Sequence, residues 1–316
     1  MIRFRTFQTS KSVPQPVIVE NSACSVVTLS DGRSLAFAEY GQSDGQPVFL
    51  LHGTPGSRLD FMNWDTALKS QGLRGIAVDR PGMGRSSVQP ERTLLEWPHD
   101  LAQLADHLKI NQFTVMGGSG GAPHALVCGY ALPQRVRHIV LACSAFPVDT
   151  PDFFQGMSLG NKLGFLLLQR FSGLLNAVAW LQTLHMQNML RHHPQKVLEG
   201  LRQSVGPEDA AQLEQVSPRQ LQLQWQEAYR GGFKGMLGEM RIHAHPWGFL
   251  PEAVKVPVTL WHGMQDRLTP VHGAQKLAGR IPHITAHYLE AHGHLLDYYP
   301  GTLDEILKSA VSEERP

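Results

Sequence analysis

Uniformly apolar runs of strand length alternate with segments of helical periodicity through the first half of the chain. The apolar runs are typical of strands buried on both faces of a sheet. They are QPVFLLHG, RGIAVDRPG, FTVMGG and RVRHIVLACSA. Helical spacing is predicted for 57–72, TLLEWPHDLAQLADHLKI and APHALVCGYAL. This alternation predicts an α/β fold with a doubly wound, mostly parallel sheet.

The strand pattern begins with a hairpin, stops in the middle of the chain and then returns. SVVTLSDGRSLAFAEYG predicts a hairpin that turns at Asp31-Gly32. Strands are predicted again in KVPVTLWHG and HITAHYLE, each followed by a helix. We therefore predict one sheet domain in two parts, with an inserted helical region and a flexible N-terminal tail. The predicted boundaries are 1–24 for the tail, 25–147 and 254–316 for the sheet domain, and 148–253 for the insertion.

The charge balance argues against a polyanionic partner. The 28 Lys and Arg nearly equal the 27 Asp and Glu, so the net charge is +1, and no long basic run occurs. Neither nucleic acid nor an acidic membrane surface is therefore an expected partner. No apolar run has the length and purity of a membrane span, and the first 20 residues lack the apolar core of a secretory signal. We expect a cytoplasmic chain without stable membrane insertion, and the oligomeric state is left open.

Cysteine and histidine usage gives no metal signal. Cys24, Cys128 and Cys143 are irregularly spaced and are interpreted as reduced thiols. The 16 histidines do not combine with them into the tandem pattern of a zinc site. We predict no metal and no cofactor.

The segment VMGGSGGAPHAL places Ser119 between two pairs of glycines. A phosphate-binding P-loop would need a Gly-Lys-Ser/Thr ending, and a dinucleotide site would need glycine where Pro123 stands. The pattern G-x-S-x-G, formed by Gly117, Ser119 and Gly121, fits the strand before it and the helix after it. Small neighbours let the strained turn close and lift Oγ above the sheet. A nucleophilic serine or a plain glycine-rich turn both satisfy this segment alone.

A nucleophilic serine needs a base and an acid that orients the base. The strand PVTLWHG leads to Asp266, and the strand TAHYLE leads to His294. Their order along the chain, Ser119, Asp266, His294, predicts a Ser-His-Asp triad. His292 is a less favoured base. Asp149 or Asp152 could supply the acid instead, because each follows an earlier strand.

The quoted motifs resemble the α/β-hydrolase superfamily, in its serine-nucleophile, esterase- and lipase-like group with a helical lid. The matching pieces are HGTPGSR, DRPGMGRSS, GGSGG, LWHGMQDRLTP and AHGHL, and the resemblance covers about 31–147 and 254–310. It implies the α/β-hydrolase fold. It also implies that the backbone N–H groups of Thr54 and Gly120 form the oxyanion hole.

The resemblance also assigns structural roles to conspicuous residues. It implies that His52 holds its loop rather than reacting. The remaining residues with structural roles are Asp79, Gly82 and Gly84, which form a turn beside the site, and His124, which is expected to be packed.

Many relatives carry bulky residues beside the nucleophile, whereas this chain has Gly118 and Gly120. We therefore hypothesise an open acyl site, which Gly120→Met would alter. The first half of the insertion is apolar and nearly free of charge, so the expected substrate is a moderately apolar carboxylic ester, lactone or thioester. Most of these apolar residues are expected to pack the insertion onto the core. They are Phe153, Phe154, Leu159, Leu163, Phe165, Leu166, Leu167, Leu168, Phe171, Leu174, Leu175, Trp180, Leu181, Met186 and Met189.

Other activities remain compatible with the same residues. A C–C bond hydrolase, an iminopeptidase or a perhydrolase would keep the triad, and so would a ligand receptor or signalling protein of this fold. HGTPG resembles the HGGPG of iminopeptidases with Thr54 in place of glycine. Dehalogenases and epoxide hydrolases are disfavoured because they use Asp where this chain has Ser119.

Overall fold

A nine-stranded, mostly parallel sheet forms the centre of the protein. The computed structural model describes residues 2–5, 24–150, 153–155, 162, 163, 166 and 172–311. The strands are β1 (Ile2–Arg5), β2 (Ser25–Thr28), β3 (Ser34–Gly41), β4 (Gln46–Leu51), β5 (Leu73–Val78), β6 (Phe113–Gly118), β7 (Val136–Ala142), β8 (Val258–Gly263) and β9 (Ile284–Leu289). Their order is β1-β9-β8-β7-β6-β4-β5-β3-β2.

The pairing confirms the predicted sheet. β2 and β3 form the expected antiparallel hairpin, and Gly32 turns it with φ +84°. β3 also runs antiparallel to β5, whereas the strands from β5 through β4, β6, β7 and β8 to β9 pair in parallel. The carboxyl ends of β4, β6, β8 and β9 therefore open on the same edge of the sheet, where such folds bind ligands.

Both faces of the sheet are covered, as the apolar runs predicted. Val48 and Leu50 of β4 belong to one apolar core cluster, and Phe49 and Leu51 belong to another. All four side chains have no solvent exposure. Successive strand side chains point to opposite faces, so a strand buried on both sides reads as a continuous apolar run.

The helices of the described residues lie before, within and after the insertion. They are α1 (Asp65–Ser70), α2 (Trp97–His107), α3 (Ala122–Ala131), α4 (Ser172–His192), α5 (Pro194–Ser204), α6 (Pro207–Gln212), α7 (Pro218–Ala228), α8 (Phe233–Ala244), α9 (Val271–Ala278) and α10 (Thr302–Ala310).

The predicted helix over 57–72 is wrong in extent. The segment forms one 3-10 turn, Arg58–Phe61, and the short helix α1. The guanidinium of Arg58 is drawn into a buried ion pair with Asp79 at 2.6 Å. This tertiary contact overrides the helical periodicity of the segment.

The insertion between β7 and β8 contains helices and 3-10 turns but no strand over the part of 148–253 that the structure describes. Several apolar side chains expected to pack inward are instead exposed. They are Leu163, Leu166, Trp180 and Leu181. The other members of that group between 156 and 161, at 165 and between 167 and 171 lie outside the described residues, and the side chains of 174 and 175 are likewise not described. No helix within the described ranges is long and apolar enough to cross a membrane.

The predicted flexible tail is wrong for its first residues. Ile2–Arg5 forms β1, an edge strand that pairs in parallel with β9, with Ile2 opposite Ala286. Backbone pairing along an exposed sheet edge explains this, since such an edge offers unpaired N–H and C=O groups to any extended segment. Residues 6–23 lie outside the described residues.

Candidate active site

Ser119 occupies a strained turn between a strand and a helix. It follows β6 directly, has φ +50°, and begins a 3-10 turn that leads into α3. A non-glycine residue in this backbone region costs on the order of 1–3 kcal/mol, which packing must repay. A Cβ on Gly117 would lie 2.5 Å from Gly121 O, and one on Gly121 would lie 2.3 Å from Leu51 O. These two positions therefore require glycine for the turn to close.

Asp266 and His294 meet at the same edge of the sheet. Nδ1 of His294 donates to Oδ2 of Asp266 at 2.8 Å. Asp266 follows β8, and its other oxygen, Oδ1, accepts the backbone N–H groups of Leu268 and Thr269 at 2.8 and 2.9 Å. The hydroxyl of Thr269 donates to Oδ2 at 2.8 Å. The carboxylate is thus fixed in one orientation and can orient the imidazole.

The serine and the histidine are not hydrogen-bonded to each other. Neither Ser119 Oγ nor His294 Nε2 has a hydrogen-bond partner within the described ranges. A Cβ on Gly53 would lie 3.5 Å from Ser119 Cβ, so the loop after β4 borders the serine. Catalytic hydrogen bonds are often long without substrate, so the missing contact does not exclude the pair.

The charges of the pair support a base held by an ionised acid. Burial would lower the pKa of His294, but the Asp266 carboxylate outweighs it and raises the pKa above its ordinary value. Burial would raise the pKa of Asp266, but the charge and hydrogen bond of His294 hold it well below its usual range. At neutral pH Asp266 is therefore ionised.

The alternative base and acids lie elsewhere. Nε2 of His292 contacts the Thr302 hydroxyl at 3.1 Å, and its ring packs on Tyr299 with centroids 4.3 Å apart. Asp149 interacts electrostatically with Arg280. Asp152 lies outside the described residues. Among the candidates that the structure describes, only His294 and Asp266 form a hydrogen-bonded pair.

The loop after β4 places Thr54 over Gly120. The backbone N–H of Thr54 donates no hydrogen bond to the described residues, as an oxyanion donor requires. His52 holds this loop, since its Nδ1 contacts Gly53 O at 2.8 Å and its Nε2 accepts the Arg80 N–H at 3.2 Å. Burial and the Arg80 charge keep the pKa of His52 well below its ordinary value, so His52 is neutral.

A buried charge cluster beneath this loop was missed by the sequence analysis. Glu239 of α8 accepts from Arg80 Nη2 at 2.6 Å and from the Thr54 hydroxyl at 2.8 Å, and it also pairs with Arg92. The side chains of Arg80 and Glu239 have no solvent exposure. Burial raises the pKa of Glu239, but Arg80 and Arg92 outweigh this effect and hold it well below its ordinary value. The insertion thus fixes the loop that carries Thr54 through an ionised carboxylate.

The hypothesis that Gly120 opens the acyl site is wrong. A Cβ on Gly120 would lie 2.4 Å from Thr54 Oγ1 and 2.9 Å from His243 Nε2. The space is filled by Thr54 and by a histidine of α8 that the sequence analysis did not single out. Gly118 is different, because within the described residues a Cβ there would meet only Ala142 O at 3.8 Å. Of the two glycines next to Ser119, Gly118 is therefore the one with free space around it in the part of the chain that the structure describes.

The predicted structural residues lie beside the site and support its loops. Asp79 is buried and accepts the backbone N–H groups of Arg58 and Arg85 at 2.6 and 2.9 Å. Gly82 and Gly84 have φ of +82° and +51°, which explains their glycines. His124 is buried in α3, and its Nδ1 lies 3.1 Å from Gly120 O.

One triplet in the site has ligand atoms close enough for a metal ion. Atoms of Cys143, Asp266 and His294 lie within 4.8 Å of one another. Burial raises the pKa of the Cys143 thiol well above its ordinary value, which disfavours the thiolate that a metal would need. Asp266 and His294 also already bond to each other, so the triplet fits a hydrogen-bonded pair better than a metal site.

Comparisons with known proteins agree with the observed fold. The family model for the alpha/beta hydrolase fold matches residues 46–297. A proline iminopeptidase from Arabidopsis thaliana is 30% identical over 139 residues, 43% of this chain and 36% of that protein. A non-heme chloroperoxidase from Streptomyces lividans is 37% identical over 125 residues, 39% of this chain and 45% of that protein. The chain thus spans less than half the length of these curated relatives.

Similarity of structure extends further than similarity of sequence. The crystal structure of a hydrolase from Pseudomonas aeruginosa PA01 matches with a TM-score of 0.68 at 17% identity, covering 92% of this chain and 98% of that one. At this identity the likeness concerns the fold. With the family match over most of the chain, the parallel sheet and the turn at Ser119, the chain belongs to the alpha/beta hydrolase fold family.

Proposed function

We propose that this chain is a serine hydrolase that cleaves a moderately apolar carboxylic ester, lactone or thioester through an acyl-enzyme. The observation that carries the proposal is the Asp266–His294 hydrogen bond of 2.8 Å at the sheet edge where Ser119 stands on its strained turn. Nucleophilic acyl transfer requires a serine exposed on such a turn together with a pre-oriented acid–base pair.

Acylation uses the three residues in sequence. Neutral His294 accepts the proton of the Ser119 hydroxyl while Oγ attacks the carbonyl carbon. The backbone N–H groups of Thr54 and Gly120 hold the resulting oxyanion. His294 then gives its proton to the leaving alcohol or thiol as the bond to the carbonyl carbon breaks, and Ser119 remains acylated.

Deacylation repeats the proton transfers with water. His294 takes a proton from water, the hydroxide attacks the acyl carbon, and the proton returns to Ser119 Oγ as the acid leaves. Asp266 stays ionised throughout and stabilises the imidazolium that forms in each half-reaction. The low pKa of Asp266 is consistent with this role.

The surroundings of the site favour an uncharged acyl group. At the start of the insertion, Phe153 is buried and packs edge-on against Phe146, with ring centroids 5.3 Å apart. The charged side chains near the oxyanion loop are already paired with one another, as with Arg80, Arg92 and Glu239. Both guanidinium groups are buried against Glu239, so neither is exposed to a polyanionic substrate, whereas an apolar acyl chain needs no charged partner.

A p-nitrophenyl ester series of increasing acyl length, measured with the wild type and Ser119→Ala, tests the proposal. The wild type should turn over steadily with an optimum chain length, and Ser119→Ala should lose nearly all turnover and fluorophosphonate labelling. Ser144→Ala is a matched control, because Ser144 is buried nearby and donates to Ala145 O, so this variant should keep both. A single burst without turnover would support a receptor instead, and activity only on strongly charged esters would contradict the apolar substrate.

A further inference from the structure

A carboxylate of the insertion directly contacts the histidine loop, the segment 290–301 between β9 and α10 that carries His294. Asp209 of α6 has no solvent exposure. Its Oδ2 accepts the backbone N–H of His294 at 2.7 Å, and its Oδ1 accepts that of Leu295 at 3.1 Å. The Tyr299 hydroxyl donates to Oδ1 at 3.0 Å and accepts the Gly293 N–H at 2.9 Å.

Every hydrogen bond that the Asp209 carboxylate accepts from the described residues comes from the histidine loop. Three donors of the histidine loop reach Asp209, and none of them comes from the insertion that carries it. Gly293 is pressed against the carboxylate, since a Cβ there would lie 2.2 Å from Oδ2. A buried carboxylate that accepts consecutive backbone N–H groups fixes the path of a loop strongly, because a charge-assisted hydrogen bond is stronger than a neutral one.

We infer that Asp209 is a positioning residue, through which the docking of α6 holds His294 in its place beside Asp266. The inference rests on the proposed function. Asp209 does not touch a reacting atom. It acts on the backbone of His294, so the insertion would contribute to catalysis through its contact with this loop.

Asp209 also adds a negative charge near the imidazole. The titratable groups that face His294 are Asp266 and Cys143 at its side, His262 behind Asp266, Asp297 on its own loop, and Asp209 on α6. Asp209, Asp266 and Asp297 all act to raise the pKa of His294. A docking contact without a charge would leave that titration unchanged.

Asp209→Asn tests the inference with two readouts. The Asn side chain keeps the shape of Asp209 but loses its charge. Its NH2 group replaces one acceptor oxygen and so places a donor opposite a backbone N–H. The plateau of kcat/KM should fall about ten- to a hundredfold, the loss typical of a misplaced catalytic group. The acid limb of the pH profile should move to lower pH. Histidine-selective NMR, with the signal assigned by His294→Gln, should show the pKa of His294 lowered in the same direction.

Two further variants separate position, charge and docking. Gly293→Ala keeps the charge of Asp209, and the backbone tolerates the substitution because Gly293 has no positive φ. The added methyl group displaces the Asp209 carboxylate, so kcat/KM should fall at every pH. Glu227→Gln is the matched control. It removes a buried insertion carboxylate that contacts Arg58 and Arg85, not the histidine loop, so the acid limb should stay in place.

The possible outcomes are distinguishable. An unchanged acid limb and an unchanged His294 pKa in Asp209→Asn would overturn the inference and leave Asp209 a docking contact, and so would a wild-type rate in Gly293→Ala. If the wild type hydrolyses no ester of the series, the proposed function fails. The NMR titration needs no substrate and still decides whether Asp209 acts on His294.

Discussion

The charge state of His294, the proposed base, is set by two opposing effects, burial and the neighbouring Asp266 carboxylate. Its side chain is only 9% exposed, which disfavours the imidazolium, while Asp266 at 2.8 Å favours it. The carboxylate prevails, so the pKa of His294 is raised. The proposed mechanism uses the neutral imidazole, which predominates only above that raised pKa.

The pH dependence of the reaction follows from this sign. The acid limb of kcat/KM should have its midpoint above ~6.5, the ordinary histidine value. Asp266→Asn should move the limb to lower pH and reduce kcat by roughly 10⁴-fold, because the imidazole loses its orientation. Initial rates on one p-nitrophenyl ester from about pH 5 to about pH 9 measure both effects. His292→Asn serves as the control, and a wild-type midpoint below the ordinary value would refute the assignment.

At the scale of elements, carboxylates connect the helices of the insertion to the core. α6 contributes Asp209 to the histidine loop, α7 contributes Glu227 to Arg58, and α8 contributes Glu239 to Arg80 and Arg92. Two of the three, Asp209 and Glu239, bond to loops that carry proposed catalytic groups. The geometry of the site therefore depends on helices that lie far from it in sequence.

Glu239→Gln tests whether this buried contact stabilises the fold more than an exposed ion pair does. Losing one partner of a buried ion pair costs about 3–5 kcal/mol, because Arg80 and Arg92 keep their buried charge. We expect the free energy of unfolding in urea to fall by about that amount, with a lower kcat as Thr54 loses its acceptor. Glu252→Gln removes an exposed partner of Arg280 and should cost about 1 kcal/mol or less. Equal losses in the two variants would show that the buried cluster is not a docking contact.

At the scale of the whole molecule, the parts built on strand ends could be predicted and the parts built on the insertion could not. Ser119, Asp266 and His294 each follow an apolar run, so their common edge follows from parallel pairing. Asp209 lies 85 residues before its partner His294. In the sequence it looks like an ordinary acid in the first turn of a helix, where it would favour the helix dipole.

Glu239 and His243 were missed for a related reason. They lie one helical turn apart on α8, a segment whose glycines and mixed polarity predict no particular buried face. Which face of α8 meets the core depends on packing across 159 residues, as in the Arg80–Glu239 contact. The hypothesis about Gly120 was wrong for the same reason. The sequence shows that Gly120 has no side chain, but it does not show that Thr54 and His243 fill that space.

The unequal surroundings of Gly118 and Gly120 have a stereochemical consequence. Within the described residues, Thr54 and His243 fill the space around Gly120, whereas the space around Gly118 extends to Ala142 O. The proposed oxyanion hole would fix the carbonyl, so we expect an acyl group branched at its α-carbon to place its larger branch on the Gly118 side. The two enantiomers of a 2-phenylpropionate p-nitrophenyl ester should react at rates that differ about tenfold or more.

Chiral chromatography of the ester that remains after partial hydrolysis measures this ratio. If the remaining ester were racemic, the expected preference for one enantiomer would be contradicted. Enlarging Gly118 should change the ratio more than it changes the rate on straight-chain esters, which need no room for a branch. A difference in what surrounds two glycines thus becomes a preference between mirror-image molecules.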